Sequence, residues 1–406
     1  MASAENLARR TVTRHCSCST VYTFDPDSGP IRLARHRLAT AYARAPGAEP
    51  AVFDAGGSGC SYTTQERLGD LDKLLDHAVR WANAAAATAS DWPPVLDTFV
   101  GVCMVAEAFG CEVVYPPGTD PWTRPAITTV NQVWTLTPRK LGETFMVRRL
   151  FDWVDYAQRR LGTAVPFWTM DLQSPFSVAA HVLEPLELLT ACATEPAAVH
   201  HLCRMITDYS IELMRRHLAQ MEHAAFPGRN YPSISENIGI CIADDTPLIM
   251  LGPAMYAEFG VPYNNLISEA FGGVHIHSCG DYRHNLDQLL TVKGLRSIQL
   301  HAGPGEFQLP VTAAADCPFN RARQRVTLLV DDGGVAQGDQ YKGRTKDLYA
   351  EYTLPRILNA APTGLILQSC GAGQDLPDAA AALTWTRAQV QSRWRPAPIR
   401  PAACGA

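Results

Sequence analysis

Downstream of Lys140, short apolar runs alternate with longer amphipathic stretches, and this alternation restricts the chain more than any other feature of its sequence. Short apolar runs bounded by turn residues read as buried strands, and apolar residues at helical spacing read as the helices that cover them. Together they predict βαβ units and a parallel sheet. The expected strands are Val165–Met170, Ser233–Ile240, Gly273–His277, Leu295–Leu300, Arg325–Val330 and Gly364–Gln368. Helices are expected at Pro185–Ala191, Pro196–Met221, Pro253–Phe271, His284–Val292, Lys346–Asn359 and Pro377–Arg393. A closed barrel and an open doubly wound sheet both satisfy this order. No Gly-x-Gly-x-x-Gly follows a strand, which speaks against a dinucleotide-binding sheet.

Upstream the pattern is different. Apolar residues recur at helical spacing from Thr63 to Ala87, and VLDTFVGVCMVAEAFGCEVVY reads as a helix ending near Gly110 followed by a strand through Val113-Val114-Tyr115. Residues 116–126 read as a loop. Residues 1–60 carry no sustained period and are expected to form an irregular extension. The Cys16-Ser17-Cys18 run after His15 lies there without a second ligand cluster nearby. Gly56-Gly57-Ser58-Gly59 and Asp331-Asp332-Gly333-Gly334 lack the strand-loop-helix context of a phosphate cradle and read as turns. The chain is thus divided into an extension with helices packing on the main domain (1–90), an α/β domain (91–395) and a tail (396–406).

The composition supports this division and excludes several functions. With 406 residues, 47% hydrophobic and 18% charged, the chain can bury a large core. A net charge of −5 without runs of like charge leaves no electrostatic footprint for nucleic acid or an anionic membrane. No apolar run approaches the ~18 residues of a membrane span, and no signal peptide opens the sequence, so a cytoplasmic location is expected. Twelve cysteines in such a chain are expected to be reduced thiols, most of them buried.

Two cysteines stand where chemistry is expected. In GGVHIHSCGD the strand ends at His277, so Cys279 falls just past the C-terminal end of a parallel strand, where such folds place their active groups. Zinc takes N and S ligands in tetrahedral arrays, and catalytic sites leave one position open. His277 and Cys279 supply two ligands, and Cys370, directly after the strand GLILQS, supplies a third from the same rim of a closed barrel. His301 ends the next strand and Glu236 lies in the preceding one, so each is a candidate for contact with the metal or substrate. Asp171, Asp244-Asp245 and Asp331-Asp332 are carboxylates at or near strand ends, available for acid-base work.

The segment from Glu236 to Asp281, ENIGICIADDTPLIMLGPAMYAEFGVPYNNLISEAFGGVHIHSCGD, resembles the uroporphyrinogen decarboxylase superfamily, in particular its zinc-dependent corrinoid:thiol methyltransferase branch. A second stretch from Asp171 to Leu213 is similar to the same family, and the likeness covers about residues 90–395. It implies a (β/α)8 TIM barrel with its site at the C-terminal rim, and it places the metal role on His277, Cys279 and Cys370. The Arg-Gln-Ala-Gly-Arg loop by which the decarboxylase branch holds substrate carboxylates is absent from this sequence.

The resemblance implies a zinc-dependent methyltransferase that activates a small-molecule thiol for methyl or other C–S transfer. The methyl donor is expected to be a methyl-corrinoid protein, a transient partner, since no corrinoid-binding module is visible in this chain. Two alternatives stay open. One is a lyase or decarboxylase acting on a small carboxylate, and the other is a metal-stabilised, non-catalytic binding scaffold.

Overall fold

The computed structural model describes residues 14–15, 21–22, 28–54, 62–88, 90–92, 94–116, 120–163, 165–221, 225–226, 239–301, 321–322, 325–331, 345–360, 363–369 and 378–395. Seven short strands matter for the site: β1 (Ala51–Phe53), β2 (Phe167–Trp168), β3 (Ile240–Ala243), β4 (Val274–His277), β5 (Leu295–His301), β6 (Thr327–Asp331) and β7 (Leu365–Gln368). Six of them form one parallel sheet in the order β1-β7-β6-β5-β4-β3. Two parallel bridges carry the ring onward, Gln173 to Ala243 beside β3 and Leu96 to Phe167 beside β2. Asp91 N–H donates to Val52 O at 3.1 Å, which brings the ring back to β1. With the segment at Leu96 as the eighth position, the sheet closes as a (β/α)8 barrel.

Alternation along each strand sorts the side chains. Val274 and Ile276 of β4, Ile240 and Ile242 of β3, and Leu365 and Leu367 of β7 join the large core shared with the surrounding helices. The intervening Ala51, Phe53, Cys241, Leu329 and Ile366 form a separate cluster with Trp92 and Trp168, which is the barrel interior. His275 and His277, alternate residues of β4 between its outward-facing apolar ones, therefore share the inner face.

Helix α1 (Gly29–Tyr42) closes the floor of the barrel: Leu38 and Ala41 join the inner cluster, and Thr327 Oγ1 donates to Ala41 O at 3.1 Å. The Tyr42 hydroxyl hydrogen-bonds Ser297. Two guanidiniums tie the floor to the C-terminal helix, since buried Asp91 pairs with Arg37 of α1 at 3.3 Å and with Arg387 of Ala379–Arg393 at 3.1 Å. Residues 28–54 thus form a helix and a barrel strand where an irregular extension was expected, and the sheet begins before residue 91. The apolar face of α1 is built from Ala34, Leu38 and Ala41, too small a set to register as a period, and β1 is three residues long.

Other differences have local causes. The helix expected over Pro253–Phe271 is two helices, Pro253–Phe259 and Val261–Phe271, because Pro262 lacks an N–H and its ring clashes with a preceding helical carbonyl. Within the loop expected at 116–126, Trp122–Arg124 pairs antiparallel with Glu112–Val114. Residues 233–238 of the strand expected at Ser233–Ile240 lie outside the described residues, and the strand described here is Ile240–Ala243. No helix among the described residues is long and apolar enough to cross a membrane.

Candidate metal centre

The C-terminal ends of β3, β4 and β5 build the centre. Ala243 lies in register with His277, so the next two residues of the β3 chain, Asp244 and Asp245, stand on the rim beside the His277–Cys279 turn. There the chain enters the short helix α2 (Asp245–Met250), followed by α3 (Pro253–Phe259) and α4 (Val261–Phe271).

The two aspartates face different ways. Asp244 is fully buried, and its Oδ2 accepts from Tyr256 Oη of α3 and from Asn264 Nδ2 of α4, both at 2.7 Å. Its backbone N–H donates to His277 O at 2.8 Å. Burial pushes the Asp244 carboxyl up to about 6 despite the hydrogen bonds from Ser174, Tyr256 and Asn264 that favour its ionised form. Asp244 therefore rivets the strand ends to the helices behind them. Asp245 is half-buried, and its Oδ1 accepts the Cys279 N–H at 2.5 Å.

The turn itself is clamped from both sides. Tyr282 Oη donates to Gln299 O of β5, while Asn285 Nδ2 donates to Leu248 O at 2.9 Å and to Leu251 O at 2.7 Å. Gly280 packs against Ile249 so closely that a β-carbon would clash with that side chain, which accounts for the glycine after Cys279. Cys279 Sγ then lies 3.1 Å from His277 Nε2, and His277 Nδ1 faces Gln299 Oε1.

One ligand atom each from Asp245, His277 and Cys279 lie within 4.8 Å of one another. Tetrahedral coordination at about 2.0–2.3 Å separates ligand atoms by roughly 3.3–3.8 Å, so the three groups need only small adjustments to share an ion. Imidazole nitrogen, thiolate sulfur and carboxylate oxygen are also the donor types that zinc accepts. Burial, moreover, separates the thiols. Among the described residues Cys103, Cys111, Cys192, Cys203 and Cys241 are buried and Cys279 is exposed. Desolvation pushes Cys103 up to about 12 and Cys111 and Cys192 up to about 11, which keeps those thiols protonated and inert.

The structure brings His277 and Cys279 together as expected. Cys370 and Glu236 lie outside the described residues, although Ser369, the residue before Cys370, donates to Phe53 O at 2.7 Å on the same rim. The backbone of His301 ends β5 opposite Asp331, and the side chains of both lie outside the described residues. Asp171 stands on the rim beyond β2, where it accepts from Gln173 Nε2 at 3.0 Å. It is not in the convergent group, because β3 separates its strand from β4. Asp245 has moved from one of several rim carboxylates to a member of the centre. Placing the strand at Ile240–Ala243 would have set it beside His277. Gln299 gave no signal, since an isolated glutamine in a strand carries no spacing rule.

A parallel barrel with a thiol, an imidazole and a carboxylate converging on its C-terminal rim defines a class of rim-site (β/α)8 proteins. The uroporphyrinogen decarboxylase (URO-D) family model matches residues 95–302, more than half of the chain, and the chain belongs to that family. The methylated-thiol–coenzyme M methyltransferase of Methanosarcina mazei is 26% identical to it over 183 residues, 44% of this chain and 45% of that protein. The match thus spans less than half of that relative's length. The solved structure of a methyltransferase from Methanosarcina mazei superposes with a TM-score of 0.60 over 88% of this chain and 98% of its own, at 12% identity, which supports the barrel fold.

Proposed function

We propose that the protein is a zinc-dependent methyltransferase that activates a thiol substrate, with the metal held by His277, Cys279 and Cys370 and Asp245 beside them. The observation that carries this reading is the convergence of Asp245, His277 and Cys279 within 4.8 Å, with the thiol exposed on the rim. A zinc ion bound there supplies Lewis acidity that lowers the pKa of a substrate thiol toward neutrality.

The chain's own residues do the remaining work. His277 presents Nε2 toward the Cys279 sulfur, and Asp245 fixes that cysteine's backbone through its N–H. The exposure of Cys279 leaves an approach for a small thiol from the solvent side. Glu236 and His301 are proposed to handle the proton that the thiol releases, and Asp171, farther along the rim, to help orient the substrate. The relative's activity, that of a methylated-thiol–coenzyme M methyltransferase, supports methyl transfer involving a thiol, and the methyl donor is proposed to be a methyl-corrinoid protein docking on the rim.

The test is elemental analysis of protein purified reduced and without chelator, together with formation of a thioether from a small thiol and free methylcobalamin. Wild type is expected to carry near-stoichiometric zinc. His277→Ala, Cys279→Ser and Cys370→Ser are each expected to lose zinc and thioether formation together. Metal-free, folded wild type would sink this reading and favour a lyase acting on a small carboxylate.

A further inference from the structure

The His277 imidazole is engaged on both sides. While Nε2 faces the Cys279 sulfur, Nδ1 faces the side-chain oxygen of Gln299 on the neighbouring strand. A carboxamide oxygen has no proton to give, so this contact forms only when Nδ1 carries the proton and donates it. The lone pair then resides on Nε2, 3.1 Å from Cys279 Sγ. Gln299 is buried, and the Tyr282 hydroxyl holds its carbonyl, so the strand that carries the carboxamide is anchored.

A second histidine, two residues earlier on the same face, provides the contrast. His275 Nδ1 meets the hydroxyl of Ser297, two residues before Gln299. A hydroxyl both donates and accepts, so this lower pair sets no tautomer, whereas the upper pair is one-directional. The one-directional partner is found at the level where a ligand atom must be presented to the rim.

We propose that Gln299 is the positioning residue that makes His277 an Nε2 metal ligand, by holding its proton on Nδ1 and its ring plane toward Cys279. The proposal rests on the metal-site reading above. It assigns to a neutral amide the part that a carboxylate or backbone carbonyl commonly plays behind a zinc-bound histidine, and the amide adds no charge to the centre.

Two measurements on the full chain test it. In metal-free protein labelled with 15N-histidine, long-range proton–nitrogen correlations read the His277 tautomer, with His277→Ala identifying the signal. Wild type is expected to show the Nδ1–H form and Gln299→Leu a mixture. In chelator competition with zinc, Gln299→Leu is expected to bind about 10–100-fold more weakly. Gln299→Glu, nearly isosteric and still an acceptor, is expected to retain both the tautomer and most of the affinity. An Nε2–H tautomer in the wild type, or a tautomer and affinity indifferent to Gln299→Leu, would overturn the role of Gln299. Wild type that binds no zinc, while its tautomer still follows residue 299, would overturn the metal-site reading and leave the Gln299–His277 pairing standing.

Discussion

The barrel interior has two unlike halves. On the side of β1, the Leu96 segment and β2, the inward positions are aromatic: Phe53 and Trp92 have ring centroids 5.3 Å apart, and Trp92 meets Trp168 edge-on at 5.2 Å. On the side of β4 and β5 they are polar: His275, His277, Ser297 and Gln299, all buried. The same alternation of the chain thus fills one half with volume and the other with hydrogen-bonding groups. Buried polar groups are tolerated only when paired, and here the pairs run across one strand boundary, His275 with Ser297 and His277 with Gln299. Aromatic packing fills the first half, and the candidate site lies at the top of the second.

The largest expected effect breaks the aromatic half. Trp168→Ala should lower the unfolding free energy by about 3–5 kcal/mol in urea denaturation, leaving the zinc content of the folded fraction unchanged. Cys279→Ser, an exposed change, should alter stability by less than about 0.5 kcal/mol. Equal losses in the two variants would erase the distinction between the halves.

On the polar side, Asp245→Ala should weaken zinc binding by about 10–100-fold in chelator competition. Asp245→Asn, which keeps an acceptor for the Cys279 N–H but loses the charge, should fall between this variant and wild type. An Asp245→Ala protein with wild-type affinity would remove Asp245 from the centre.

A pH series sharpens the comparison, because an imidazole serving the aromatic side has a purely structural part. His217, on the helix Pro196–Gln220, is fully buried and accepts the Met170 N–H at 3.2 Å, just beyond β2. Burial pushes it down to about 3 from the usual 6.5, so it stays neutral in the folded protein. Below pH 6.5 the unfolded chain binds a proton that the folded one refuses. The stability is therefore complete above pH 6.5 and is lost as pH falls toward 3, at about 1.4 kcal/mol per unit. Denaturation curves at pH 7 and pH 5 should show this slope reduced by one proton's worth in His217→Gln. An unchanged slope would mean that the histidine is protonated in place.

The smallest effect is expected at the floor. Tyr42→Phe removes the hydrogen bond to Ser297 and should cost about 1 kcal/mol without changing zinc content. A loss of metal in this variant would show that the polar column below the rim is coupled to the centre.

The strands that were legible in the sequence are those with short apolar runs, such as Leu365–Gln368 and Thr327–Asp331, because a fully buried parallel strand is a continuous apolar run. Ala51–Phe53 was not, since three residues between Pro50 and Asp54 look like any loop. The His277–Cys279 pair was legible from its place after a strand. The third group was not, because Asp245 reaches Cys279 through a register between β3 and β4 that no local pattern encodes.

Taken alone, the pattern of the sequence determined the βα alternation and the His-x-Cys turn at a strand end, which are local matters of periodicity and spacing. The barrel class followed only from the resemblance to a family, since a closed barrel and an open sheet share that alternation. Tertiary structure decided which half of the interior is polar, which of two adjacent aspartates is buried and which faces the centre, and which nitrogen of His277 is turned toward the sulfur. Those choices depend on strand register and on partners distant in sequence, Tyr256, Asn264 and Gln299, which only the closed barrel brings within hydrogen-bond reach.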